Sequence, residues 1–174
     1  MIEKRLFFGI GLALEHTAHI QHWLDTSVIA TKASTLPRNW HLTLAFLAQT
    51  DASAEEKVIE FAHSLVQPPF QLRFDSTGYW SHNGLFYLRP DHINEALCGI
   101  AEPLRSCGEA LGLYRNSYPF APHITLFRGL KAEPSVCAPL VPFTLDVTEF
   151  HLYHSHRLED GLHYTPIHSF ALSA

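Results

Sequence analysis

Asn39-Trp40-His41-Leu42-Thr43-Leu44-Ala45-Phe46-Leu47 and Ala121-Pro122-His123-Ile124-Thr125-Leu126-Phe127-Arg128 carry the same element, His-x-Thr-Leu, once in each half of the chain. Both alternate polar and apolar residues, the two-residue period of a β-strand. In a strand, residues i and i+2 point to one face. His41 and Thr43 therefore share a face, as do His123 and Thr125. Leu42, Leu44, Ile124 and Leu126 point the opposite way, into a core. Each element sets an imidazole beside a hydroxyl on a rigid strand, so the repeat predicts a pseudo-symmetric site with one pair from each half.

Working outward, Arg5 to Gly11 reads as a buried first strand and Leu14 to Ile29 as a helix. Thr31 to Asn39, with Pro37, is a connection. Trp40 to Leu47 is a strand. Asp51 caps a helix that runs to about Val66 and is stopped by Pro68-Pro69. Phe70 to Trp80 and Leu85 to Leu88 form a hairpin about Ser81-His82-Asn83-Gly84. Asp91 can cap a helix from His92 to about Leu111, with Pro103 a point of kink or break and Gly112 placed to end it. Ala121 to Phe127 is a strand and Pro134 to Pro142 a loop. Phe143 to His154 and His163 to Leu172 are two more strands, turning at Glu159-Asp160-Gly161. The order is α+β with mainly antiparallel pairing, and no linker divides residues 1–174, so a single domain is expected.

Composition narrows the function. The 174 residues are 47% hydrophobic and 17% charged, as in globular proteins. A net charge of −5 argues against a long, sequence-independent grip on duplex nucleic acid, which needs a broad basic surface. A small anionic group in a local basic pocket remains allowed. Cys98, Cys107 and Cys137 are odd in number and lack CxxC spacing, which fits a reducing, cytoplasmic setting better than a disulfide or zinc framework. Lys4 and Arg5 before an apolar run faintly resemble a secretory leader, but Gly9 and Gly11 interrupt it and no small-x-small site follows. No stretch approaches the roughly 20 apolar residues of a membrane span.

Two imidazoles and two hydroxyls about one small group suit displacement at phosphorus. One His takes a proton from an attacking water and the other gives a proton to the leaving oxygen. The Thr hydroxyls and a nearby Arg hold the non-bridging oxygens. No metal or other cofactor is needed for these roles. With 13 histidines a bare HxT is cheap, as His163-Tyr164-Thr165 shows; HxTL twice is not.

The two elements resemble the signature of the 2H phosphoesterase superfamily. The chain is similar over nearly its whole length to the bacterial and archaeal RNA 2′,3′-cyclic phosphodiesterases, also called 2′-5′ RNA ligases. Arg5-Leu6-Phe7-Phe8, the two motif segments, Val147-Thr148-Glu149-Phe150-His151-Leu152-Tyr153 and Tyr164-Thr165-Pro166 carry the resemblance. It implies a bilobal fold of two pseudo-symmetric halves, their antiparallel sheets facing a central cleft and their helices outside. It implies hydrolysis of a 2′,3′-cyclic phosphate to a 2′-phosphomonoester, with His41 as proton donor and His123 as acceptor, and reversible 2′-5′ joining of tRNA halves. It implies Arg128 as a phosphate ligand, although strict alternation puts that residue on the Leu126 face unless the strand ends or bulges. Phe46 holds the same offset in the first motif, where it can stack on a base or pack in the core. Ala121 stands where close relatives can carry His.

Other readings stay open. The same residues suit a 2′-5′ oligoadenylate or a small cyclic nucleotide, and a cleft without turnover would be an RNA- or nucleotide-binding module. His16, His19 and His22 recur on one helix and read as a solvated face in preference to a metal site. His154 and His156 share a strand face. Tyr114, Arg115 and Tyr118 are candidate RNA contacts, and Cys98 and Cys107 read as packing residues. RNA ends are the expected partner, with no membrane. A monomer is expected because the site is completed within one chain.

Overall fold

The computed structural model describes residues 3–173. Strand β1 (Lys4–Gly11) is buried from Leu6 to Ile10. Helix α1 (Leu14–Ser27) passes directly into a two-residue strand, β2 (Val28–Ile29), which pairs with β7 (Ser135–Val136). The helical reading to Ile29 is thus two residues too long, because β-branched Val28 and Ile29 favour the extended state once a partner strand is present. Strand β3 (His41–Thr50) leads to α2 (Ala52–Ser64), where the Asp51 carboxylate accepts from Ala54 N at 2.8 Å as expected of an N-cap. Strands β4 (Phe70–Trp80) and β5 (Leu85–Pro90) form the hairpin. Gly84 in its turn has φ +64°, and a Cβ there would collide with the Leu130 backbone.

Helix α3 (Glu95–Ala110) is capped by Asn94, whose side chain accepts from Leu97 N at 2.9 Å, and not by Asp91. The Asp91 carboxylate instead meets the His92 ring at 2.7 Å and Arg73 at 3.6 Å. Pro103 is held inside the helix without ending it, and Gly112 follows at φ +73°. Strand β6 (Ile124–Phe127) begins three residues later than its alternation suggests. Phe143 to His154, which reads as one strand, is two: β8 (Phe143–Val147) and β9 (Glu149–Leu158). The chain closes with β10 (Gly161–Ala171).

Eight of these strands make one antiparallel sheet in the order β10-β9-β1-β3-β6-β5-β4-β8. Each half of the sheet has four neighbouring strands, β10-β9-β1-β3 drawn from both ends of the chain and β6-β5-β4-β8 from its middle, and the two halves of the sheet meet where β3 pairs with β6 through Leu42 and Ile124. The break at Thr148 separates β8, which closes the second half by pairing with β4, from β9, which pairs with β1 in the first. Alternation carries no sign of that change of partner.

The helices cover one face of the sheet. Helix α3 packs on the back of β3 so closely that a Cβ on Gly108 would lie 2.8 Å from Leu47 Cδ2. Trp23 of α1 stacks on Phe86 of β5. Leu42, Leu44, Ile124 and Leu126, each at most 1% exposed, belong to this core as their alternation requires. Burying each contributes roughly 2 kcal/mol. The opposite face is left open, and there the sheet curls into a cleft.

Candidate active site

The Leu42–Ile124 pair is the centre of the site. In an antiparallel pair, one step along β3 is matched by one step back along β6. His41 therefore lies across from Thr125, and Thr43 across from His123. The surroundings agree: Thr43 and His123 line one groove of the cleft, while His41, Thr125 and Arg128 line a smaller hollow on the other side. All four motif side chains are half-buried and share the open face, with a pseudo-twofold axis between them. His123 lies one residue before β6, so its position is set by the approach to the strand as well as by the strand.

Both rings are anchored in the same way. His41 Nδ1 lies 2.7 Å from Asn39 O, and His123 Nδ1 lies 2.7 Å from Ala121 O. A backbone carbonyl only accepts, so each Nδ1 carries the proton and each Nε2 is turned to the cleft. In the neutral ring, His41 Nε2 accepts from the Thr43 hydroxyl at 2.7 Å. Aromatic rings hold the imidazoles from the side: Phe7 at 4.7 Å and Tyr164, edge-on at 5.0 Å, for His41; Trp80 at 4.9 Å and Tyr87 at 5.5 Å for His123. The Tyr87 ring lies over Gly78, filling the space that a Cβ there would need.

Burial pushes the His41 pKa down to about 4. The hydrogen bond to Asn39 opposes this, and the Arg128 and His123 charges add to it. Burial also lowers His123, against the Ala121 hydrogen bond and with help from Arg128. Both imidazoles thus favour the neutral form at pH 7. Arg128 acts on both rings, so its guanidinium sits within electrostatic reach of each.

Why Arg128 faces the site is visible in the register. Thr43 pairs with Gly9 and Ala45 with the next residue, Phe8, so Leu44 is an extra residue, a β-bulge. Thr125 pairs with Tyr87 and Phe127 with the next residue, Phe86, so Leu126 is the same bulge in the second motif. A bulge shifts the alternation by one. Phe46 and Arg128, each five residues after its motif His, are thereby turned from the core face to the cleft face. Phe46 lines both large grooves, with the Tyr114 ring edge-on at 5.0 Å and the Arg5 guanidinium 4.8 Å above it. Core packing, the other reading of Phe46, does not hold.

The second bulge is clasped from the first half. Thr35 N donates to Leu126 O at 2.8 Å. The Thr35 hydroxyl lies 3.1 Å from Thr125 O and from Leu126 O, and accepts from Trp40 Nε1 at 2.9 Å.

Sequence reasoning missed this clasp and the aromatic walls. In the third HxT, which sequence reasoning set aside as a chance match, the residue in the cleft is the middle one. Tyr164 meets His41, while His163 turns away to Asp160 and Thr165 to His156. His154 and His156 share a face, stacked at 4.7 Å. His16 and His19 are not simply solvated. They pack on Phe143 at 4.9 and 5.8 Å, and His19 Nε2 reaches Val141 O. Among the described residues no cluster of His, Cys, Asp or Glu could hold a metal ion, and no helix is long and apolar enough to cross a membrane. Tyr114 and Tyr118 line the groove beside His123. All three cysteines are free thiols.

Known proteins share this fold and much of this sequence. The family model described as the 2′-5′ RNA ligase superfamily matches residues 15–159. The RNA 2′,3′-cyclic phosphodiesterase of Escherichia coli K12 is 33% identical over 171 residues, covering 98% of this chain and 97% of that protein. The crystal structure of E. coli LigT complexed with 3′-AMP superposes with a TM-score of 0.93 at 32% identity, covering 99% of this chain and all of that one. The crystal structure of TT0787 of Thermus thermophilus is similar at a TM-score of 0.77 and 26% identity, with 97% of each chain covered.

Proposed function

The chain belongs to the 2′-5′ RNA ligase superfamily, and from that membership we propose that it is an RNA 2′,3′-cyclic phosphodiesterase that opens the cyclic phosphate to a 2′-phosphomonoester by paired imidazole catalysis. The observation that carries the reading is the pair of Nε2 edges, each aimed into one cleft by an Nδ1–carbonyl bond, with Arg128 acting on both. The cyclic phosphate, an anion, sits between the rings and Arg128. Its charge offsets the lowering of the imidazole pKa values and lets one ring take up a proton. Water attacks phosphorus as its proton passes to His123 Nε2. The P–O3′ bond breaks and O3′ takes the proton from His41 Nε2. Arg128, Thr43 and Thr125 stabilise the charge that builds on the non-bridging oxygens. With a ribose 5′-hydroxyl in place of the attacking water, the same opening forms the new P–O5′ bond as P–O3′ breaks, which joins a 2′-5′ linkage and leaves a free 3′-hydroxyl. Phe46 and the aromatic groove beyond it suit an unstacked base.

The test is an RNA oligonucleotide ending in a 2′,3′-cyclic phosphate, incubated in EDTA with wild type, His41→Ala and His123→Ala. The expected result is a 2′-phosphate product from wild type and a loss of at least about 10²-fold in each folded variant. A 3′-phosphate product, or full activity in either variant, refutes the reading.

A further inference from the structure

We propose that the groove along β1 and β9 is a backbone subsite in which Arg5 and Arg157 hold the phosphates upstream of the terminal nucleotide, so that polynucleotide ends are preferred over free cyclic nucleotides. The inference rests on the RNA-end reading above and adds to it what lies beyond the reacting phosphate.

The groove, of about 660 Å³, starts at His41, Thr43 and Arg128 and runs out to Arg5, Ser155 and Arg157. The register orders these residues along one face. Phe7, which packs on His41, pairs with Tyr153; Arg5 pairs with Ser155; Arg157 follows two residues on and pairs with Leu162. At a rise of about 3.3 Å per residue, Arg5 stands about 7 Å along the sheet from Phe7, and Arg157 about 13 Å from Tyr153. The cations are therefore spaced outward from the catalytic pair in a row, as successive phosphates would be.

Both side chains are exposed, and the arginine ion pairs among the described residues are those of Arg38 and Arg73. Arg5, Arg128 and Arg157 thus line one groove with their charges unmatched, in a chain of net charge −5. Glu3 is the carboxylate on that wall, and it is ion-paired to none of them. Arg5 is held in place over the Phe46 ring, leaving its guanidinium edge for a phosphate.

The groove on the other side of the motifs, about 820 Å³, differs in chemistry. Trp80, Tyr114, Tyr118 and Phe120 make it mainly aromatic, with Arg105 as a single cation 5.8 Å from the Phe120 ring. Three arginines on one side and a mainly aromatic lining on the other fit a chain whose backbone leaves one way while its last base turns the other.

The test compares kcat/KM for a nucleoside 2′,3′-cyclic phosphate with di- and trinucleotides ending in the same group. The expected gain is about tenfold for each added phosphate, the size of one charge-assisted contact. Arg157→Ala should remove the gain from dinucleotide to trinucleotide while leaving the mononucleotide unchanged. Arg5→Ala should lower the dinucleotide-to-mononucleotide ratio. Each should flatten the logarithmic salt dependence of trinucleotide binding by about 0.7. Equal kcat/KM at all lengths, or a length gain that survives both substitutions, overturns the inference. A protein that hydrolyses none of the three refutes the RNA-end reading instead. Fluorescence-anisotropy binding of the same oligonucleotides then still decides the groove, since affinity independent of length overturns it.

Discussion

Acidification should destabilise this protein through His41, by an amount the site itself sets. An imidazole in the unfolded chain takes up a proton near pH 6.5, whereas folded His41 does so only near pH 4. Above pH 6.5 both states are neutral at this residue and stability is complete. Between pH 6.5 and 4 the unfolded chain binds a proton that the native protein does not, so stability falls as pH falls. By pH 4.5 the loss is about 2.5 kcal/mol, and it levels off at about 3 kcal/mol below both values. His123, His151 and His154 are lowered too and act in the same direction, so wild type alone cannot isolate one ring. The comparison is with His41→Asn, which removes the titrating ring. Urea unfolding of both proteins at pH 7.5 and 4.5 should show wild type losing about 2.5 kcal/mol more than the variant. Inorganic phosphate at pH 5 should recover part of the wild-type loss, because an anion in the cleft favours the charged ring. Parallel losses in the two proteins would refute the claim that burial keeps His41 neutral.

Gly78→Ala places a methyl where the Tyr87 ring lies, so it should displace that ring from His123 and lower kcat more than it raises KM; an unchanged kcat in steady-state assays counts against the aromatic positioning of His123. Thr35→Val removes the hydroxyl clasp on the second bulge and leaves Trp40 Nε1 without its acceptor. It should cost about 2 kcal/mol in urea unfolding and reduce turnover as well. Asn94→Ala should cost about 1 kcal/mol as the loss of a helix cap, while Asp91→Ala should change stability by less than half of that. Thermal melts of the two variants separate the caps, and a larger effect from Asp91 would show the assignment to be reversed.

Much of the site was legible because side-chain alternation is a local property of the extended backbone. His41 with Thr43 and His123 with Thr125 follow from spacing alone, and so do the buried Leu42, Leu44, Ile124 and Leu126. The capping Asp51, the turn at Gly84 and the end of α3 at Gly112 were equally local. Asn94 was missed because two candidate caps stand three residues apart, and only the tertiary partners of Asp91, Arg73 among them, decide between them.

The remainder required the assembled sheet. The sequence determined which side chains could share a face, since a period of two is built into every strand. It could not determine which strands meet, because Leu42 and Ile124 are distant in the chain and are brought together only when both halves bury their leucines against the helices. The bulges at Leu44 and Leu126 exist only relative to the neighbours β1 and β5. They decide that Phe46 and Arg128 face the cleft, against simple alternation. The switch at Thr148 is of the same kind: Phe143 to His154 is continuous as a pattern, and is divided only by having its partners, β4 and β1, in different halves of the sheet. Local backbone geometry thus sets the chemistry of each motif, and long-range pairing sets what stands around it.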